Sequence, residues 1–241
     1  MNRANLYRTP SIVVNFKTYI EATGKRAVEL AKTADEVSKD SGVIIAVAPQ
    51  FTDLKAVVEA IEIPVFSQHI DPIKPGPYTG HVLAEAIKAA GASGSILNHS
   101  EKRIKISEIE DALSFARTSD LASLVCTDTP GVGAAVASLG PDMIAIEPPD
   151  LIGTGVAVSK ARPELITNAI KRIHSVNDSV EILCGAGVST AEDVGKALEL
   201  GTVGVLVSSS VVKGQNPAKL LENMTDEVLR SSKSSSLTLA K

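Results

Sequence analysis

Three reactive side chains in this sequence stand where a short apolar run gives way to polar residues. Lys17 closes Ser11-Ile-Val-Val-Asn-Phe-Lys17, His99 follows Gly94-Ser-Ile-Leu-Asn98, and Glu147 follows Met143-Ile-Ala-Ile146. A cation, an imidazole and a carboxylate together can neutralise an anion, donate a hydrogen bond to a carbonyl oxygen and remove a proton. At the rim of an apolar core Glu147 is desolvated, which raises a carboxyl pKa and makes a stronger base; taken alone it equally fits a salt-bridged rim glutamate. His99 leads into Ser100-Glu-Lys-Arg103, a segment able to open a short helical turn. The partial positive charge of such a turn keeps an imidazole neutral, although a satisfied structural histidine fits equally well. Lys17 alternates with Asn15, so both side chains leave their strand on one side; a solitary strand-end lysine also fits a solvated surface charge. His69, His81 and His174 have no comparable setting.

Two small-residue turns, Gly185-Ala-Gly187 and Ser208-Ser-Ser210, also follow apolar runs. Small side chains let an oxyanion approach backbone N–H groups, and the same residues also serve in ordinary tight turns. After Glu147, Pro148-Pro149 makes a stiff hinge and Gly153-Thr-Gly155 a flexible one around Asp150-Leu-Ile152, the pattern of a lid.

These groups need a scaffold that brings strand ends together. Eight short apolar runs recur: Ser11 to Val14, Val43 to Ala48, Val65 to Ser67, Gly94 to Leu97, Ser123 to Cys126, Met143 to Ile146, Val180 to Cys184 and Val203 to Val207. Apolar on both faces, they read as buried parallel strands. Helical stretches alternate with them. Gly24 to Lys39 puts Ala27, Leu30, Ala31, Ala34 and Val37 on one face, and Leu165 to Val176 does so with Ile166, Ala169, Ile170 and Ile173. Ser107-Glu-Ile-Glu110 and Ser189-Thr-Ala-Glu192 have capping-box spacing, and Pro163 and Pro217 suit first helical turns. Eight strand–helix units predict a (β/α)8 barrel, in which functional groups collect at the C-terminal ends of the strands. The expectation is one domain, 1–241, with its core at about 11–230 and a polar, mobile tail at 231–241.

Composition agrees with a closed aliphatic core. The 241 residues are 44% hydrophobic, 3% aromatic and without tryptophan. A net charge of −4 supplies no basic field for nucleic acid or an anionic membrane. The apolar run Val43–Ala48 is far below the roughly 18 residues of a spanning helix, and the polar N-terminus has no signal-peptide pattern. Cys126 and Cys184 are expected as reduced, small buried hydrophobes in a cytoplasmic protein. No metal-ligand spacing stands out.

Read in order, the segments resemble triosephosphate isomerase, specifically its compact archaeal branch. The resemblance rests on Asn15-Phe-Lys17, Gln68-His69 to Tyr78-Thr-Gly-His81, Asn98-His-Ser-Glu101, Glu147-Pro-Pro-Asp-Leu-Ile-Gly-Thr-Gly155, Cys184-Gly-Ala-Gly187 and Gly204-Val-Leu-Val-Ser-Ser209, and covers roughly Ser11 to Glu222. It implies a TIM barrel that interconverts dihydroxyacetone phosphate and glyceraldehyde 3-phosphate through an enediolate, in glycolysis and gluconeogenesis, without metal or organic cofactor. By that resemblance Glu147 is the base, His99 the electrophile, and Lys17, oriented by Asn15, the electrostatic stabiliser. Ser100 and Glu101 support them, and the backbone around Ile152, Gly153, Gly187, Ser208 and Ser209 holds the phosphate. The loop His69 to His81, stiffened by Pro72, Pro75 and Pro77, is expected to insert Thr79 into a neighbouring subunit, with a homotetramer favoured over a dimer. Ser208-Ser-Ser210 departs from the glycines of the family at large, which puts the phosphate geometry there in question. A sugar-phosphate epimerase or aldolase, or a non-catalytic phosphometabolite-binding barrel, are the alternatives.

Overall fold

The computed structural model describes residues 11–148 and 157–238, with side chains through Ser232. Of the expected lid, Pro148 to Gly155, all but Pro148 lies outside the described residues, Ile152 and Gly153 included. Eight strands follow one another: β1 (Ile12–Asn15), β2 (Ile45–Ala48), β3 (Phe66–Ser67), β4 (Gly94–Leu97), β5 (Ala122–Thr127), β6 (Met143–Ile146), β7 (Glu181–Cys184) and β8 (Gly204–Val207). All neighbours pair in parallel in the order β2-β1-β8-β7-β6-β5-β4-β3. A parallel bridge between Val47 and Val65 and a bond from Val47 N–H to the Pro64 carbonyl (3.1 Å) join β2 to the β3 side and close the ring. The result is a (β/α)8 TIM barrel, as the eight apolar runs predict.

Period-2 alternation divides the core in two. Val13, Ala46, Phe66, Ile96, Leu124, Met143, Ala145, Leu183 and Leu206 point inward and fill the barrel. Ile12, Val14, Ile45, Val47, Ile144, Ile146, Ile182 and Val205 point outward under the helices. Continuing the inward series by one more step on β1, β4, β6, β7 and β8 gives Asn15, Asn98, Glu147, Gly185 and Ser208. The apolar filling thus ends in a ring of polar or small residues at the C-terminal mouth.

The helices follow their apolar faces: α1 (Lys25–Ser41), α2 (Leu54–Ala60), α3 (Ala84–Ala89), α4 (Ile106–Thr118), α5 (Pro130–Ala137), α6 (Val158–Ala161), α7 (Pro163–His174), α8 (Ala191–Glu199), α9 (Ser209–Val212) and α10 (Pro217–Thr238). Ala27, Leu30, Ala31, Ala34 and Val37 of α1 are buried, as are Ile166, Ala169 and Ile173 of α7; Ile170 is only partly buried. Pro163 and Pro217 open their helices. Both capping expectations shift. Lys105 precedes α4, and its N–H donates to Glu108 (2.7 Å), so Ser107 lies inside the first turn. The second box is Thr190 with Asp193, one residue beyond Ser189 with Glu192, because Thr190 is the extended residue preceding α8. Of the expected tail, 231–238 continue the backbone of α10. Among the described residues no helix is long and apolar enough to cross a membrane.

Candidate active site

The mouth of the barrel holds a cleft lined by Asn15, Lys17, His99, Glu147, Gly187 and Ser208, with Tyr19, Gly185, Ser189, Ser209 and Ser210 beside them. Asn15 ends β1, and its Oδ1 accepts the N–H of Lys17 (2.9 Å). Lys17 is not part of the strand: its φ is 49°, in the left-handed region. A turn therefore brings it to the cleft, where strand alternation was the expectation. The strain at a non-glycine residue there is held by neighbours, because Gln68 Nε2 donates to the carbonyls of Lys17 (2.9 Å) and Ala48 (3.0 Å). Lys17 Nζ meets Glu101 Oε1 at 2.7 Å.

His99 follows β4 and Asn98, which also has a left-handed φ of 54°. Asn98 fixes this bend by donating from Nδ2 to the Cys126 carbonyl (2.9 Å) and accepting the Ile104 N–H (3.1 Å). The segment after His99 makes one turn, closed by Lys102 N–H to the His99 carbonyl (2.8 Å). Glu101 N–H donates to His99 Nδ1 (3.2 Å), so in the neutral ring Nε2 carries the proton. Burial and then the Lys17 charge lower the His99 pKa to about 4, so the ring is kept neutral mainly by these and not by the short turn the sequence suggested. The Ser100 hydroxyl is buried without a hydrogen-bond partner among the described residues.

Glu147 continues β6, with its N–H bonded to the Thr127 carbonyl (2.7 Å), and is 1% exposed. Its Oε1 lies 3.5 Å from His99 Nε2, and Oε2 has no hydrogen-bond partner among the described residues. Burial pushes its pKa up to about 7, against the neighbouring Cys126 thiol and the Lys17 charge, which both favour the ionised carboxylate. Cys126 therefore does more than fill space; the sequence offered no sign of this because the contact depends on the β5–β6 register, in which Cys126 faces Ala145. Gly185 makes room for the base: a Cβ there would lie 2.5 Å from Glu147 Cγ. Cys184 is the plain buried thiol expected, pushed up to about 12 by burial.

Across the cleft Gly187 has a φ of 71°, closed to most side chains. Ser208 precedes α9 with φ −149°, and its hydroxyl is buried with no partner among the described residues. The serines in place of glycines need no left-handed φ, since Lys17, Asn98 and Asp120 are the non-glycine residues so placed among those described. Ser210 Oγ donates to the Val188 carbonyl (3.3 Å), joining the two small-residue turns. Thr79 is exposed at the far end of the loop after β3. That loop is clamped at its base by Asp71, which bonds the Val82 N–H (2.6 Å) and His69 Nε2 (3.1 Å).

Asn15, Lys17, His99, Glu147, Gly187, Ser208 and Ser209 are thus brought together, with Glu101 at their edge. The positioning roles of Gln68, Asn98, Cys126 and Ser210 escape sequence reasoning, because each reaches an element far along the chain.

Comparison with known proteins agrees with this arrangement. Residues 10–224 match the family model for triosephosphate isomerase. The triosephosphate isomerase of Methanocaldococcus jannaschii is 49% identical over 88% of this chain and 97% of its own length. That of Methanothermus fervidus is 50% identical over 91% and 99%. In fold, the chain resembles the crystal structure of triosephosphate isomerase from Bartonella henselae, with a TM-score of 0.74 at 20% identity over 92% of this chain and 99% of the other. A closed parallel barrel whose mouth carries this cation, imidazole and buried carboxylate, matched over nearly its whole length at about half identity, belongs to the triosephosphate isomerase family.

Proposed function

We propose that this chain interconverts dihydroxyacetone phosphate and glyceraldehyde 3-phosphate, with Glu147 as the base that carries the proton between the two carbons. The observation that carries this reading is the Glu147 carboxyl itself: buried, donor-poor at Oε2, held near pH 7 and 3.5 Å from a neutral imidazole. Glu147 removes the proton alpha to the carbonyl, and the electron pair moves into an enediolate. His99 Nε2–H donates to the carbonyl oxygen and passes protons between the two oxygens. Lys17, oriented through Asn15, offsets the negative charge that develops there. Gly187, Ser208 and Ser209 present N–H and hydroxyl groups to the phosphate, with Ile152 and Gly153 assigned to the same task by resemblance. A lid would exclude water from the enediolate phosphate, which otherwise eliminates phosphate. Proton transfer alone completes the reaction, so no cofactor is invoked.

The purified protein should form glyceraldehyde 3-phosphate from dihydroxyacetone phosphate in a coupled assay; no product above background would refute the assignment. We also propose a homo-oligomer, a tetramer over a dimer, in which the loop from His69 to His81 carries Thr79 to a neighbour. Its clamped base and exposed end support that reading. Light scattering giving the single-chain mass of 25.1 kDa at assay concentration would overturn it.

A further inference from the structure

The loop Gly185–Ser189 lines the cleft, yet the groups that hold it lie behind it. Asp193 Oδ2 accepts the Ser189 N–H (2.9 Å), the Ser189 hydroxyl (3.2 Å) and the Thr190 N–H (2.9 Å). The other carboxylate oxygen, Oδ1, meets Lys160 Nζ at 2.9 Å. Lys160 stands on α6, which is itself bound to the loop: Val158 N–H donates to the Ala186 carbonyl (3.1 Å), and Ser159 Oγ to the Asp193 carbonyl (3.4 Å). Lys160 also touches Glu192 at 3.0 Å, but Glu192 is open to solvent whereas Asp193 is 3% exposed. The buried charge is therefore the one that Lys160 chiefly answers.

This places a fixed anion directly behind a loop whose front is assigned to a phosphate. A carboxylate there organises the loop, but its charge opposes that of a phosphate dianion through poorly screened protein. We propose that Asp193 and Lys160 are paired positioning residues for phosphate binding: Asp193 sets the Gly185–Ser189 backbone through Oδ2, and Lys160 cancels its charge through Oδ1, so that the cradle is organised without being negative. The inference rests on the assignment of this cleft to a triose phosphate.

The division of labour makes a specific prediction. Lys160→Gln removes the cancelling charge and leaves the loop bonds in place. It should raise KM for dihydroxyacetone phosphate and the inhibition constant of glycerol 3-phosphate about 3- to 10-fold, with kcat within about 2-fold. Lys160→Arg should restore both. In Asp193→Asn the amide oxygen can keep the Ser189 and Thr190 bonds, so adding this change to Lys160→Gln removes the uncovered charge and should bring both constants back to within about 2-fold of the parent. If the ion pair acts only as a brace, the double variant will bind as weakly as Lys160→Gln or more weakly, and the proposal falls. It also falls if Lys160→Gln leaves KM unchanged. Should Asp193→Asn not fold, the Lys160 variants decide: the KM increase must shrink in added salt and be absent in Lys160→Arg. An inactive parent chain would instead overturn the isomerase assignment, so the two failures are distinct.

Discussion

Glu147 and Asp193 are both nearly closed to solvent, 1% and 3% exposed, at the same end of the barrel, yet their acidities move in opposite directions. Burial pushes both up. At Asp193 it is overcome by the Lys160 ammonium and by donors from Ser189 and Thr190, which hold the carboxyl below its ordinary range. At Glu147 the Cys126 thiol and the more distant Lys17 charge are too weak, and the carboxyl stays near 7. Two things separate a base from a structural carboxylate here: Glu147 lies deeper in the protein, and Asp193 has the richer supply of donors. The strands enforce the difference: Glu147 enters the cleft beside Gly185, which has no Cβ to crowd it, whereas Asp193 sits at a helix start facing N–H groups.

The largest effect expected from this contrast is on turnover. Glu147→Gln should lower kcat by on the order of 10³-fold or more while glycerol 3-phosphate binds nearly as before. An equal loss of binding would make Glu147 a ligand-positioning residue. His99→Gln should slow enolisation by on the order of 10²-fold, measured as loss of deuterium exchange from labelled substrate; an unchanged rate would remove His99 from the reaction.

Stability should move oppositely at the two carboxylates. A folded-state pKa raised from 4.5 to about 7 means that the folded chain binds the Glu147 proton more tightly than the unfolded one. Stability from this group is present below pH 4.5 and is lost as pH rises through 7. At about 1.4 kcal/mol per pH unit the loss is about 3 kcal/mol by pH 8. His99, lowered from 6.5 to about 4, acts in the reverse sense, its contribution falling away as pH drops from 6.5 through 4. The parent's pH profile therefore mixes the two, and the difference between parent and variant separates them. Glu147→Gln should gain up to about 3 kcal/mol in urea unfolding at pH 8 and nothing at pH 4. Asp193→Ala, which leaves the Ser189 and Thr190 N–H groups without their acceptor, should lose about 2 kcal/mol. A loss at both positions would break the comparison.

Much of this was legible in the chain because an aliphatic strand that ends in a polar residue announces its own mouth. Asn15, Glu147 and Ser208 follow Val13, Ala145 and Leu206 by two positions, so alternation alone aims them correctly. Lys17 was found for a different reason from the one that places it, since a left-handed turn is not written in strand alternation. The helix starts shifted because capping depends on which residue is extended, a property Ser189 and Thr190 do not reveal by type. The contacts of Cys126 with Glu147, Gln68 with Lys17 and Asp193 with Lys160 depend on register and helix placement, which local spacing does not encode.

That a donor-poor carboxyl at the barrel mouth titrates near neutrality is open to direct observation. Infrared difference spectra of the parent minus Glu147→Gln, recorded between pH 4 and 9, should show one protonated carboxyl band replaced by carboxylate with a midpoint near 7. A midpoint in the ordinary glutamate range near 4.5 would contradict the account.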